Sequence, residues 1–461
     1  VVRARDDSRH NQPRGKQSDR FENYGCLYTR TTGIWQSVWM EPVSVISMKR
    51  PRITPDLARR LFHVEVPLTA NAPGLKLKAT LSDGGRTICT AATSAELSLA
   101  AVVDLQVPAD RCRPWSPDDP HLYDLLLELV DAGGRVIDRA TSYAGLRSVA
   151  IEGQAVKING KVVFQRLVLD QGFYPDGILT APTDAALARD IELAQQAGFN
   201  GARLHQKVFE ERFLYHADRL GYLVWGEFPD WGCSGRGPHW DHQQPGATYI
   251  TQWLEELQRD YSHPCIIGWC PLNETHQAIG DRQTVLDDVT WGLFQAAKAM
   301  DPTRPVLDAS GYSHRVGEAD VYDSHDYEQD VEKFRARHAG LAEGKPFVNA
   351  DPDRAYSIAY RGQPYFVSEF GGIWWNPNVR PGEASWGYGQ RPADIEEFYR
   401  RFEGLCDTLL QNPRMFGYCY TQLTDVFQEQ NGIYTFDRQA KFDLARIRAA
   451  QAAVAACERN G

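Results

Sequence analysis

Two glutamates stand at the ends of two short apolar runs, and that placement is the first sign of chemistry in this chain. The run His-Pro-Cys-Ile-Ile-Gly-Trp-Cys-Pro-Leu-Asn-Glu closes on Glu274, and Pro-Tyr-Phe-Val-Ser-Glu-Phe-Gly carries Glu369 much further along. Each run is too short for a helix and too apolar for a half-solvated strand. Both read as buried strands of a parallel sheet that deliver a carboxylate to an exposed tip. Two facing carboxyl groups are what hydrolysis of a glycosidic bond requires. They stand about 5 to 5.5 Å apart for retention and about 6.5 to 9.5 Å apart for inversion, which must admit water. Either glutamate could instead pair with an arginine at a sheet rim. Two of them, one preceded by Asn273, favour the chemical reading.

The elements that must position them repeat a strand-then-helix rhythm beyond residue 149. Candidate strands fall at 162–169, 199–204, 222–228, 265–270, 305–308, 320–325, 365–368 and 416–420. Amphipathic helical stretches at 183–197, 210–220, 247–261, 285–300 and 393–410 separate most of them. Eight strands in that rhythm predict a (β/α)8 TIM barrel over 149–461, with Glu274 ending strand four and Glu369 ending strand seven. The carboxyl ends of such strands surround the catalytic mouth. Asp170 at the end of strand one and Glu227 at the end of strand three are therefore candidates for binding sugar hydroxyls. Trp374 and Trp375, just past Glu369, are candidates for a stacking platform under a sugar ring, with core packing as their alternative.

Upstream the rhythm is different. Residues 44–148 alternate short β-like runs with breakers such as Ala-Pro-Gly at 72–74 and Asp-Gly-Gly at 83–85, the pattern of an immunoglobulin-like β-sandwich. Residues 1–43 hold a polar loop at 8–23 and an alternating run at 33–42 that predicts a strand. Forty-odd residues bury too little apolar surface to stand alone, so this part reads as the tail of an upstream β-domain. Sequence ahead of Val1 is expected.

Composition narrows the class. The 461 residues are enough for several cores, and no apolar run approaches the length of a membrane span. A formal charge of −10 without a basic block argues against a nucleic-acid partner. Nine cysteines form no Cys-x-x-Cys pair and no metal-ligand spacing, so free thiols, no metal, no cofactor and a reducing compartment, cytoplasm favoured, are expected.

Four motifs in order carry a resemblance: Tyr-Thr-Arg-Thr-Thr-Gly-Ile-Trp at 28–35, Pro-Trp-Ser-Pro-Asp-Asp-Pro-His-Leu-Tyr at 114–123, the run ending at Glu274, and Ser-Glu-Phe-Gly at 368–371. Together they resemble glycoside hydrolase family 2, which contains β-galactosidases, β-glucuronidases and β-mannosidases. The resemblance implies a multidomain chain: the end of a jelly-roll sugar-binding domain at 1–43, the sandwich at 44–148 and the catalytic barrel at 149–461. It makes Glu274 the acid/base, Glu369 the nucleophile and Asn273 the partner of the sugar 2-hydroxyl. Arg203 corresponds to the arginine that orients the nucleophile, and Tyr327 to the tyrosine that hydrogen-bonds it. His325 shares that rim.

Departures from the family pattern touch specificity. Its Arg-x-x-His-x-Pro stands here as Arg-Leu-His-Gln-Lys-Val at 203–208, so His205, Gln206 and Lys207 replace the usual contact. Tyr420 takes the place of a strand-eight tryptophan. The Asn-x-Lys signature that grips a uronate has no match in 428–434, which disfavours a glucuronidase unless Lys207 supplies the cation. Asp170 would also repel a uronate. The implied activity is a retaining exo-β-glycosidase acting on a neutral, β-galactoside-like sugar. A β-mannosidase, β-glucuronidase or pentosidase, or an inactive carbohydrate-binding protein, are the alternatives. A carbohydrate is the expected partner, and a homo-oligomer is compatible with the chain.

Overall fold

The computed structural model describes residues 1–5, 12–18, 20–230, 246–275, 277–280, 284–351, 353–380 and 382–460. Its first sheets are antiparallel. Strands β1 (Arg52–Asp56), β2 (Leu61–Pro67) and β5 (Ala100–Gln106) pair in the order β1-β2-β5. Strands β3 (Lys76–Asp83), β4 (Arg86–Ser94), β6 (Tyr123–Val130) and β7 (Val136–Ala144) pair as β4-β3-β6-β7. Phe62, Val64 and Val66 of β2 and Leu77, Ala79 and Leu81 of β3 recur with the period of two that sends one face inward, and they share one core with Tyr123, Leu125, Leu127 and Leu129. Gly84 and Gly85, both at positive φ, make the tight β3–β4 turn that only such residues accept readily.

A small antiparallel sheet of β8 (Val149–Glu152), β9 (Ala155–Ile158) and β10 (Lys161–Val162) leads into the largest unit. There, β11 (Gln165–Asp170), β12 (Gly201–Leu204), β13 (Leu223–Glu227), β14 (Ile266–Cys270), β15 (Tyr322–Asp326), β18 (Tyr365–Gly371) and β19 (Met415–Thr421) form one parallel sheet. A two-residue hairpin, β16 (Ala350–Asp351) and β17 (Arg354–Ala355), interrupts the sequence between β15 and β18. The parallel order is β14-β13-β12-β11-β19-β18-β15. Helices α1 (Asp184–Gln196), α2 (Glu211–Leu220), α3 (Ala247–Asp260), α4 (Val285–Met300), α5 (Val331–Ala339), α6 (Ile395–Leu410) and α7 (Leu444–Gln451) follow the strands. Thr183 caps α1 through the Ala186 N–H, and Thr284 and Asp287 form a reciprocal cap on α4.

The expected strand at 305–308 is not a ladder strand. Pro305 has no N–H to give, and Asp308 turns the chain by accepting the Ala309, Arg315 and Val316 N–H groups. The segment nevertheless lies between the two edges of the sheet. Leu307 donates to the Trp269 carbonyl at 2.9 Å on one side, and Asp320 donates to the Val306 carbonyl at 3.1 Å on the other. The unit is TIM-like, a parallel sheet curled until this segment bridges its ends. Inside it, Trp225, Phe366 and Phe416 stack on one another, with ring centroids 4.8 to 6.5 Å apart. That layer closes the interior, and the residues two places further along β13 and β18, Glu227 and Ser368, open the layer above it.

The alternating run at 33–42 is also corrected. Among the described residues it pairs with no strand, and Ile34, Val38, Trp39 and Met40 are exposed. The part of the polar loop at 8–11 and 19 lies outside the described residues. The rest of the loop and the run beyond it lie over the parallel sheet's carboxyl end: Gly15 donates to the Pro229 carbonyl at 2.9 Å, and Gln36 Nε2 donates to the Val208 carbonyl at 2.8 Å. No helix among the described residues is long and apolar enough to cross a membrane.

Candidate active site

The carboxyl ends of β12, β13, β14, β15 and β18 bring the chemical residues together. Arg203, near the end of β12, is fully buried and satisfies its guanidinium in four directions. Nε donates to Glu227, Nη1 donates to the Ser368 carbonyl at 2.8 Å, and Nη2 donates to Asn273 Oδ1 and to Glu369 Oε1 at 3.0 Å. Burial disfavours the Arg203 charge, but Glu227 and Glu369 outweigh it and hold the group ionised. A planar fork fixed at that many points sets the carboxylate of Glu369 in one orientation.

Glu369 meets a second donor on its other oxygen, the Tyr327 hydroxyl. Burial and the Glu369 charge raise the Tyr327 phenol well above its usual range, so it stays a donor. Its ring stacks flat on Tyr388, with centroids 3.4 Å apart and planes within 3°. Tyr388 was not marked by any motif; its loop returns to the mouth because Tyr388 N–H bonds the Gly372 carbonyl.

Glu274 lies just beyond β14 with φ 49°, a left-handed conformation that is uncommon for a non-glycine residue. Its N–H reaches the Ser310 carbonyl at 3.0 Å, so the segment that bridges the sheet edges also fixes this bend. His325 stands between the two glutamates: Nδ1 is 2.8 Å from Glu274 Oε1, and Nε2 is 3.5 Å from Glu369 Oε1. One oxygen from each glutamate and one ring nitrogen of His325 lie within 4.8 Å of one another. The preceding Asn273 is buried, its N–H held by Asp230 at 3.0 Å and its Oδ1 by Arg203. Among the described residues Asn273 Nδ2 has no acceptor, so a buried donor remains for a ligand.

Other expected residues are placed differently. Glu227 spends both oxygens on Arg203, His205 and the Gln206 N–H, which makes it a support for Arg203 instead of a sugar contact. Burial and the Lys16 and Arg203 cations press His205 well below its ordinary value, and its neutral ring accepts from Gln206 Nε2 at 3.0 Å. Gln206 Oε1 is buried without a protein partner. Lys207 donates to the Gly172 and Leu179 carbonyls at 2.6 and 2.7 Å and stands 3.6 Å from Glu210, so it braces the loop after β11. Asp170 turns back onto the Gly172 N–H, and burial with the Asp190 charge raises its carboxyl to about 7. It takes no part in the carboxylate cluster.

Tyr420 points away from the mouth, packing on Phe370 and Phe402; its neighbour Thr421 faces inward, 3.3 Å from the Tyr327 hydroxyl. Trp374 is half-buried and donates to Ser385, and Trp375 is buried in the same loop. Sequence reasoning missed the contribution of residues 14–28. Gly15 sits at φ 57°, where an added Cβ would lie 2.2 Å from the Gln206 carbonyl oxygen, and this close approach brings Lys16 into the mouth. Although burial opposes its charge, Glu429, Cys26, Glu369 and Glu274 raise the Lys16 ammonium above its usual value. Tyr28 donates to Glu429, whose other oxygen accepts from Asn431 at 3.3 Å. No spacing in residues 14–28 announces a site; only the fold lays them there.

The model for glycosyl hydrolases family 2 matches residues 46–147. A β-galactosidase from Aeromonas hydrophila is 28% identical over 298 residues, 60% of this chain and 27% of that protein. One from Vibrio cholerae is 30% identical over 205 residues, 42% of this chain and 18% of its own length. The chain thus spans under a third of the length of these two β-galactosidases. Among solved structures, Bifidobacterium dentium β-glucuronidase complexed with coumarin-3-O-glucuronide superposes with a TM-score of 0.71 at 20% identity, covering 89% of this chain and 67% of that one. The β-galacturonidase of Eisenbergiella tayi bound to galacturonate gives 0.69 at 18%, covering 89% and 73%. The family model on the antiparallel sheets, the curated relatives in sequence and the likeness in fold over 89% of this chain together support glycoside hydrolase family 2.

Proposed function

We propose that the chain is a retaining, exo-acting β-glycosidase that removes a terminal neutral sugar, β-galactoside-like first, through a covalent glycosyl-enzyme. The observation that carries the reading is the cluster of Glu274, His325 and Glu369, in which one oxygen of each glutamate lies within 4.8 Å of the other, on the short side of the two spacings. Glu369, ionised and aimed by Arg203 and Tyr327, attacks the anomeric carbon as Glu274 gives its proton to the departing oxygen. Glu274 then takes a proton from water as that water displaces Glu369. Asn273 Nδ2 holds the sugar 2-hydroxyl, where a hydrogen bond strengthens as charge develops.

We divide the chain as the end of a jelly-roll domain at 1–43, an immunoglobulin-like sandwich at 44–148 and a (β/α)8 catalytic barrel at 149–461. The strap at 14–28 then joins the first part to the mouth of the last. A uronate is the second reading, because Lys16 is a buried cation in that mouth. Glu429 beside it counts against a second carboxylate, and Lys207 is engaged elsewhere. Asp170 no longer bears on the choice.

A panel of nitrophenyl β-glycosides tests the assignment. The highest kcat/KM is expected on a neutral sugar, the galactoside first. Gln206→Ala is expected to lower kcat/KM about 5- to 150-fold more on that sugar than on its epimers, the scale of about 1 to 3 kcal/mol for a lost buried hydrogen bond. Preference for a uronide that is lost in Lys16→Met would replace the neutral-sugar reading, and no turnover on any glycoside would overturn the glycosidase itself.

A further inference from the structure

We propose that Glu274 and His325 hold one proton between them, and that Ser310 and Asp323 enforce this by keeping the other ring nitrogen of His325 protonated. The inference rests on reading Glu274 as the acid/base and concerns what sets its proton.

His325 Nε2 lies 3.0 Å from Ser310 Oγ and 3.5 Å from Glu369 Oε1. Ser310 Oγ lies 2.9 Å from Asp323 Oδ2 and 3.1 Å from Ser368 Oγ, and the Asp323 carboxylate, the strongest acceptor in reach, draws its hydrogen. Asp323 offers only acceptors and also takes Ser368 Oγ and the Gly311 N–H at 2.9 Å. Its Oδ1 stands 3.1 Å from His314 Nε2, and His314 Nδ1 is 2.8 Å from Asp308. Burial alone would neutralise His314, but Asp308 and Asp323 raise it to about 10, so Asp323 remains a carboxylate. Ser310 and Glu369 therefore both present acceptors to Nε2, which must carry a hydrogen. The 2.8 Å contact between Nδ1 and Glu274 Oε1 is then bonded only if one more proton lies on it, as carboxylic acid with imidazole or as carboxylate with imidazolium.

His325 is closely held. Asn349 clamps the His325 backbone on both its N–H and its carbonyl, and a Cβ on Gly311 would lie 2.5 Å from the ring. Tyr312 meets it edge-on at 5.8 Å. Among charged neighbours, Arg203 opposes a charge on His325, while Glu369 and Glu274 favour it; against burial, these carboxylates raise the imidazole above its ordinary value. The charges of Glu227 and His325 also favour each other.

This pairing suits both halves of a double displacement. When the sugar's C1–O bond breaks and C1 bonds to Glu369, the shared proton leaves through Glu274 on the departing oxygen. Glu274 is left as a carboxylate facing the bare lone pair of Nδ1, which makes it a stronger base. In the second half water gives a proton to Glu274 and its oxygen to C1, Glu369 departs, and the pair is restored.

Nitrogen NMR of the full chain labelled at histidine, assigned with His325→Gln, tests this without turnover. His325 is expected to keep Nε2–H across the pH range while Nδ1 alone titrates. In Glu274→Gln that midpoint is expected to fall by about 1 to 3 units, because an adjacent carboxylate that stabilised the proton is gone. In kcat/KM the alkaline limb of His325→Gln is expected at lower pH than in the wild type, since the proton loses its second seat. A ring found with Nδ1–H and bare Nε2, or a midpoint unmoved in Glu274→Gln, would overturn the pairing even in an active glycosidase. The expected tautomer and shift in a chain without glycosidase activity would leave the pairing standing and remove the catalytic reading.

Discussion

Glu369→Gln is expected to leave turnover at least about 10⁴-fold below wild type, the scale on which loss of an essential nucleophile is felt. The amide keeps the shape of the side chain, and its one oxygen can still accept from Arg203 while its NH2 meets the Tyr327 hydroxyl as an acceptor, so the mouth is expected to remain assembled. What it lacks is the charge that attacks carbon. Steady-state rates on the preferred nitrophenyl glycoside, with a thermal midpoint close to wild type as the control for folding, check the result. Activity within tenfold of wild type would mean that bond cleavage does not pass through Glu369.

Glu274→Gln is expected to separate substrates by their leaving groups. For a glycoside whose departing oxygen needs a proton, the loss is expected at about 10² to 10⁴-fold, the contribution of a positioned general acid. A glycosyl fluoride or dinitrophenyl glycoside needs little help to leave, so its first step is expected to proceed and the second, which needs the base, to become limiting. A burst of released phenolate with slow turnover after it is the kinetic mark of that outcome. Equal losses on good and poor leaving groups would take the acid role from Glu274.

How much of this was legible in the sequence depends on how local each signal is. Glu274 and Glu369 were visible because a short apolar run ending in a carboxylate has few other uses, and seven of the eight expected strands stand in the parallel sheet. The eighth, at 305–308, has a β-like composition, but proline and Asp308 divert its hydrogen bonds into bridges and a turn. In the antiparallel part β4 leaves no clean alternation to read, because its small and polar residues are only partly covered.

Among the site residues, direction was harder to read than position. Asp170, Glu227 and Tyr420 stand at strand ends as expected, yet Glu227 serves Arg203, Asp170 bends to its own loop and Tyr420 faces the helices. A register shift in the pairing of β18 with β19 changes which neighbours meet across the strands, and no sequence pattern marks it. Lys207 shows the same gap: a cation placed beside Arg203 in sequence is tied to carbonyls on another loop. Lys16, Tyr28 and Glu429 meet only because distant segments fold over one mouth. Such long-range meetings leave no trace in local spacing.

The central claim is that Glu369 bonds to the sugar. Its most direct test is peptide mass spectrometry of the intact chain after incubation with a 2-deoxy-2-fluoro glycosyl fluoride of the preferred sugar, whose fluorine slows release of the intermediate more than its formation. The account predicts one glycosyl adduct, on the peptide that carries Tyr-Phe-Val-Ser-Glu-Phe-Gly, fragmenting to a modified Glu369. An adduct on Glu274 or another residue, or a product of inverted configuration with no adduct at all, would contradict it.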